Sequence, residues 1–197
     1  QEDVAIDALE VVLREHLTIG EAYPPAKFTA TNNPATADRM IFFNRSTGGF
    51  QVYWLFLAAG NPHWVLTGDG LLSQNDRVLD PCEGHFIHPR NNATSVTFTG
   101  EIRENAFACP LLTGTNFFAG GWPVDQSTNQ RGMTLVNGFT GTANPATSDR
   151  VLFWNGDTTP GKESYQSHFL LNAGARQQWT PQANAALLNE NNLPLFA

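Results

Sequence analysis

The sequence predicts an all-β protein made of two related tandem halves, arranged as a β-sandwich or as paired antiparallel sheets. Three observations predict it. One block occurs twice, as Asn33-Pro34-Ala35-Thr36-Ala37-Asp38-Arg39 and as Asn144-Pro145-Ala146-Thr147-Ser148-Asp149-Arg150, 111 positions apart (144 − 33). Each copy runs into a short apolar stretch, Met40-Ile41-Phe42-Phe43 and Val151-Leu152-Phe153-Trp154, followed by Asn44 and Asn155. Other segments, such as residues 96–102 (Val-Thr-Phe-Thr-Gly-Glu-Ile), alternate apolar and polar side chains, the mark of a half-buried strand.

The first 19 residues carry both helical spacing (Leu9, Val12, Leu13, His16, Leu17) and β-branched content (Val4, Ile6, Val11, Val12, Thr18, Ile19). A local comparison favours strand over residues 4–19, because Leu13-Arg14-Glu15-His16 resembles Ile102-Arg103-Glu104-Asn105 at the end of the alternating segment. Residues 20–39, with Pro24, Pro25 and Pro34, read as a loop. Residues 40–43 then form a short buried strand, residues 44–49 a turn, and residues 50–57 a longer strand with both faces apolar. The second half repeats this order through residues 165–171 and Trp179, with spacing that grows from 111 to 115 at Trp64/Trp179 (179 − 64). Small insertions in turns account for that drift.

The halves differ at their ends. The first continues through Cys82, His85, His88 and a returning strand to Cys109, whereas the second stops near the equivalent of Leu79. Three segments follow: residues 1–19 as an N-terminal strand and possible donor, 20–109 as a first unit with a closing hairpin, and 110–197 as a second unit without one. The N-terminal strand either fills the gap in its own chain or completes the open sheet of the next subunit, by main-chain hydrogen bonding.

Composition narrows the function classes. The net charge is −7 with only 15% charged residues, which argues against a phosphate-backbone binder and so against nucleic acid. No apolar run approaches the roughly 20 residues of a membrane span. The chain opens at Gln1 without an initiator Met, as a processed protein would. With two Lys, two Cys and much Asn, Thr and Gly, this suits a secreted or cell-surface protein with a Cys82–Cys109 disulfide.

Candidate sites are few. Cys82, His85, His88 and Cys109 are zinc-type ligands, but three positions apart on a strand the two His point to opposite faces, so the disulfide is preferred and no metal is expected. Calcium at Asn33, Thr36 and Asp38 would find few carboxylates among the roughly six to eight oxygens it takes. The repeated block is best read as turn chemistry, with Asp38 and Arg39 as a local ion pair. No Gly-x-Ser-x-Gly occurs, the five His lie in unrelated contexts, and Asp80 and Glu83 have no fixed separation. No enzyme and no cofactor are expected. Trp64, Trp154 and Trp179 recur in both halves or replace a core residue, so they read as core. Trp122, Phe117 and Phe118 form an unrepeated Gly-flanked aromatic stretch suited to a ligand or partner contact. Asn44 and Asn92 begin acceptor-type glycosylation sequons.

Asp149-Arg150-Val151-Leu152-Phe153-Trp154-Asn155-Gly156 with Trp179, and more loosely residues 38–44 with Trp64, resemble the repeats of a group of exported bacterial tandem-repeat β proteins. The resemblance implies an exported repeat architecture and carries over no catalytic residue.

The expected function is therefore structural. The chain reads as a subunit of an extracellular homopolymer, a filament joined head-to-tail by strand complementation, with Val4, Ile6, Leu9, Val11, Leu13 and Leu17 at the subunit interface. The alternative is a secreted carbohydrate-binding or adhesive module with polysaccharide as partner.

Overall fold

A computed structural model of the chain describes residues 16–80, 82–90, 95, 109–117, 126–154, 165–183, 189, 191 and 194–195. The chain divides into two compact units, residues 1–121 and 122–197. The described parts of both are mostly antiparallel strands, as an all-β chain requires. The division falls after residue 109 because residues 109–117 belong to the first unit. Cys109 is disulfide-bonded to Cys82, and Phe117 stacks on Phe86 with ring centroids 4.7 Å apart.

The first unit holds a four-stranded sheet of β1 (Arg39–Asn44), β2 (Gly49–Ala58), β3 (Asn61–Leu66) and β4 (His85–His88), in the order β3-β2-β1-β4. β1 to β3 form an antiparallel meander. Asn44 accepts at Oδ1 from the N–H groups of Ser46 and Thr47, which shapes the first turn. Ala59 and Gly60 form the second turn with φ of 49° and 84°, as a two-residue hairpin requires. Alternation along β1 and β2 sends Met40, Phe42, Tyr53 and Leu55 to one face, where they join Ile19, Ala22, Tyr23 and Trp64 in the core. On the opposite face Trp54 and Val65 pack with Ala37 and Phe56. Apolar residues on both faces of β2 thus find cover on each.

Of the strand expected over residues 4–19, the described residues hold one isolated bridge, at Thr18. Thr18 bridges Val78, Ile19 N–H donates to Arg77 O, and Leu79 N–H donates to Leu17 O. From Ile19 to Ala22 the chain makes one helical turn, α1. Its cause is a capping box: Thr18 Oγ1 accepts from Glu21 N–H, and the Glu21 carboxylate accepts from Thr18 N–H. That local pattern outweighs the β-branched content of Thr18-Ile19. Residues 4–15 and 96–102 lie outside the described residues.

The second unit holds β5 (Gln126–Ser127), β6 (Arg150–Trp154), β7 (Tyr165–Ala173), β8 (Arg176–Pro181) and β9 (Pro194–Leu195). β6-β7-β8 form one sheet and β5-β9 pair separately. Ten positions (155–164) separate the pair Trp154/Tyr165, against six (44–49) between Phe43 and Phe50. Those four added positions produce the change in spacing from 111 to 115.

Matched bonds occur in both units. Thr31 N–H donates to Leu55 O and Thr142 N–H to Leu170 O, each at 3.2 Å. Trp64 N–H donates to Asn75 Oδ1 and Trp179 N–H to Asn191 Oδ1. The buried indole N–H groups reach Tyr23 O and Met133 O. Both tryptophans are core residues, as expected.

The Asn-Pro-Ala-Thr block is turn chemistry. Asn33 and Asn144 accept from the N–H of Ala35 and Ala146, both at 2.9 Å. Asp38 makes no pair with Arg39, however. Its Oδ2 accepts from Thr29 N–H at 2.7 Å and its Oδ1 from Arg90 N–H at 2.6 Å, while Arg39 Nε donates to Pro34 O. These oxygens are already occupied, so the calcium arrangement is not built here. Asp38 is buried and Asp149 is exposed. Replacing Asp38 by Ala should therefore destabilise the first unit by about 2 kcal/mol or more, because two backbone donors lose their acceptor. Arg39→Ala and Asp149→Ala should each cost less than about 1 kcal/mol, as read by chemical denaturation of the three variants.

Candidate functional site

The two units differ most at one sheet edge. β1 has a neighbour on each side: β2, and β4 with Arg39 opposite His88, Met40 opposite Ile87, Ile41 opposite Phe86 and Phe42 opposite His85. β6 occupies the place of β1 and pairs with β7. Among the described residues nothing pairs with its other edge. A strand edge presents a row of N–H and C=O groups that can template another strand.

Side chains follow the same contrast. In the first unit Phe86 lies opposite Ile41, and Phe117 stacks on Phe86, while Phe43 packs edge-on against Phe50. Phe43 is 8% exposed. In the second unit Leu152 is 58%, Trp154 47% and Tyr165 48% exposed. Trp154 and Tyr165 meet edge to face, with centroids 5.0 Å apart. The expectation that Trp154 is core is thus corrected: it takes the chain position of Phe43 but not its surroundings. Sequence reasoning missed Trp154 and Tyr165 as surface residues. The available signal was that residues 82–109 of the first half find no match in the second half of the sequence.

Other expected sites fall as follows. Cys82 and Cys109 are joined in a disulfide, the pairing expected from the cysteine count, so neither is available to zinc. His88 is exposed, and Leu17 is 46% exposed with its carbonyl bonded to Leu79 in its own unit. Phe117 packs on Phe50 and Phe86. Val4, Ile6, Leu9, Val11, Leu13, Asn92, Phe118 and Trp122 lie outside the described residues. A cleft of about 260 Å³ in the second unit is lined by Met133, Leu135, Leu170 and Trp179 together with Asn129, Gln177 and Asn191, with no titratable side chain among the described residues.

His85 is more than an ordinary strand residue. Its Nε2 lies 2.5 Å from Tyr23 Oη, and its ring stacks on Phe42 at 4.8 Å. Burial raises the Tyr23 phenol above its usual range, which keeps its proton in place. Burial also lowers the His85 imidazole, against the opposing pull of Glu83, and Arg77 acts in the same direction as burial. A protonated phenol beside a neutral imidazole is a matched donor and acceptor. Arg77 sits over Phe42, 4.1 Å from the ring centroid, and is ion-paired with Glu83. This cluster ties α1, β4 and the segment after β3 into one core face.

No protein-family model matches the chain, and no curated protein or solved structure matches it either.

The depressed His85 pKa sets a direction with pH. Between the folded pKa and the ordinary value near 6.5 the unfolded chain binds more protons, so stability is full above about 6.5 and falls as pH drops through that window. His85→Gln should remove that component of the pH dependence, as followed by urea midpoints of the first unit from pH 7.5 to 5. A midpoint curve of unchanged shape in the variant would assign the dependence to other groups.

Proposed function

We propose that this chain is a structural subunit of an extracellular assembly, joined head-to-tail to further copies by β-strand complementation. One observation carries the reading: the edge that β4 fills on β1 is open on β6 among the described residues, and apolar side chains surround it. The matched turn, tryptophan and asparagine bonds of the two units support a tandem origin, with a strand on the outer edge of β1 in the first copy and none on that edge of β6 among the described residues of the second. The donor is the segment that precedes residue 16. Leu17 to Ile19 already pair with residues 77–79 in their own unit, so the inferred donor ends before them. Fifteen extended residues reach about 50 Å, enough to cross to a neighbouring molecule. A donor at one end and an acceptor at the other form a heterologous contact, which propagates into a filament unless rotation closes a ring. A location outside the cell agrees with the disulfide.

A second reading rests on the half-exposed Trp154–Tyr165 pair, since such aromatic surfaces stack on sugar rings. It makes the chain a carbohydrate-binding or adhesive module.

Polymers should be visible by negative-stain electron microscopy of the purified full chain at micromolar concentration. Deletion of residues 1–15 and the single change Leu152→Lys should each abolish them while leaving a folded monomer by circular dichroism. A full chain that stays monomeric, binds a polysaccharide and loses that binding with Trp154→Ala would replace the assembly reading with the second one.

A further inference from the structure

The β1–β4 pair of the first unit offers a frame for the outer edge of β6. β4 runs antiparallel to β1, with His85 and Ile87 on the core face and Phe86 and His88 on the outer face. Two residues past the strand, Arg90 N–H donates to Asp38 Oδ1. Transferred to β6, the four acceptor positions are Phe153, Leu152, Val151 and Arg150, in the order an incoming strand meets them. Val151 and Phe153 are half-buried on the core side, whereas Leu152 and Arg150 are exposed. A suitable donor therefore places apolar residues opposite Phe153 and Val151. Opposite Leu152 it needs a further uncharged apolar residue. Opposite Arg150 it needs anything but a cation, and an acid is best. Asp149, whose Oδ2 accepts from Thr140 N–H at 2.7 Å, matches Asp38 but has no second partner among the described residues.

Sliding residues 1–15 along this frame leaves one placement that meets every condition. We propose that Val4-Ala5-Ile6-Asp7 of a second copy adds to β6, with Val4 opposite Phe153, Ala5 opposite Leu152, Ile6 opposite Val151 and Asp7 opposite Arg150. The inference rests on the strand-complementation reading and names its register. The placement that starts at Val11 also satisfies the apolar positions, but it sets Arg14 against Arg150. The one that starts at Leu9 sets Glu10 over Leu152. All others bury a charged or amide side chain, or Asp7 itself, against the core face or over Leu152. In the Val4 register the backbone N–H of Leu9 falls where Arg90 N–H does, and supplies the second partner of the Asp149 carboxylate. Charge and backbone thus converge on the same four residues. The small Ala5 leaves the surface over Leu152 and Trp154 only thinly covered, so the contact stays reversible.

The test is disulfide trapping between two separately purified full-length variants, Ala5→Cys and Leu152→Cys, mixed under mild oxidation and mapped by peptide mass analysis. Directly opposed positions on antiparallel strands hold their Cβ atoms about 4.5–5.5 Å apart, within reach of a disulfide. A 5–152 cross-link between chains is expected. Adding Asp7→Arg to the first variant should cut its yield several-fold, and adding Arg150→Asp to the second should restore it. Val12→Cys mixed with Leu152→Cys is the comparison. A 12–152 link in place of 5–152 would overturn the register while leaving strand complementation standing. Polymers that form with no link to position 152 would move the acceptor off β6. A 5–152 link found only within single molecules of a doubly substituted chain, with no polymers, would overturn the assembly reading itself.

Discussion

The first unit depends on the carboxylate of Asp38. It sits buried at the start of β1 and accepts one backbone N–H from Thr29 and one from Arg90. A buried carboxylate without donors is expensive, so the chain before β1 and the chain after β4 must both arrive there. That requirement fixes where the loop of residues 29–38 folds back and where β4 ends. In the second unit the Thr140 bond to Asp149 is kept, and the carboxylate is exposed. Water can then satisfy the other oxygen, so this carboxylate needs no second backbone donor.

A second constraint closes each unit upon itself. Asn75 and Asn191 accept from the backbone N–H of Trp64 and Trp179 through their side chains, while the indoles reach back to Tyr23 and Met133. Each fully buried Trp therefore binds an early and a late segment of its own unit. Thr18 meets Val78, and Ser127 meets Pro194. Among the described residues, the clearest mismatch between the units lies at the outer edges of β1 and β6.

Much of this was legible in the sequence. The repeated block gave the hairpin strands to within two residues, because Pro, Asn and Asp at fixed offsets dictate a turn and the apolar run that follows dictates a strand. The cysteine pairing followed from an even count. Three features were not legible. The capping box at Thr18 and Glu21 was hidden inside a β-branched stretch. The partner of Asp38 was assigned to its neighbour Arg39, since sequence adjacency is visible and Arg90, 52 positions on, is not. Trp154 was read as core because its counterpart Phe43 is apolar. Burial, however, depends on β4 and Phe117, and neither has a counterpart in the second unit among the described residues.

Phe43 and Trp154 show one sequence pattern standing in two different surroundings. An exposed apolar edge is ordinarily an aggregation hazard, and natural sheets guard such edges with charge. β6 carries Arg150 at its start with Asp149 beside it, both exposed. These charges disfavour indiscriminate pairing, because an arriving strand must offer an acid opposite Arg150 or forfeit part of its binding. In full overlap, two antiparallel β6 edges would set Arg150 opposite Trp154, with no acid across from it. On β1 the same guarding is unnecessary, since β4 is covalently tethered nearby through Cys82 and covers the edge within the unit.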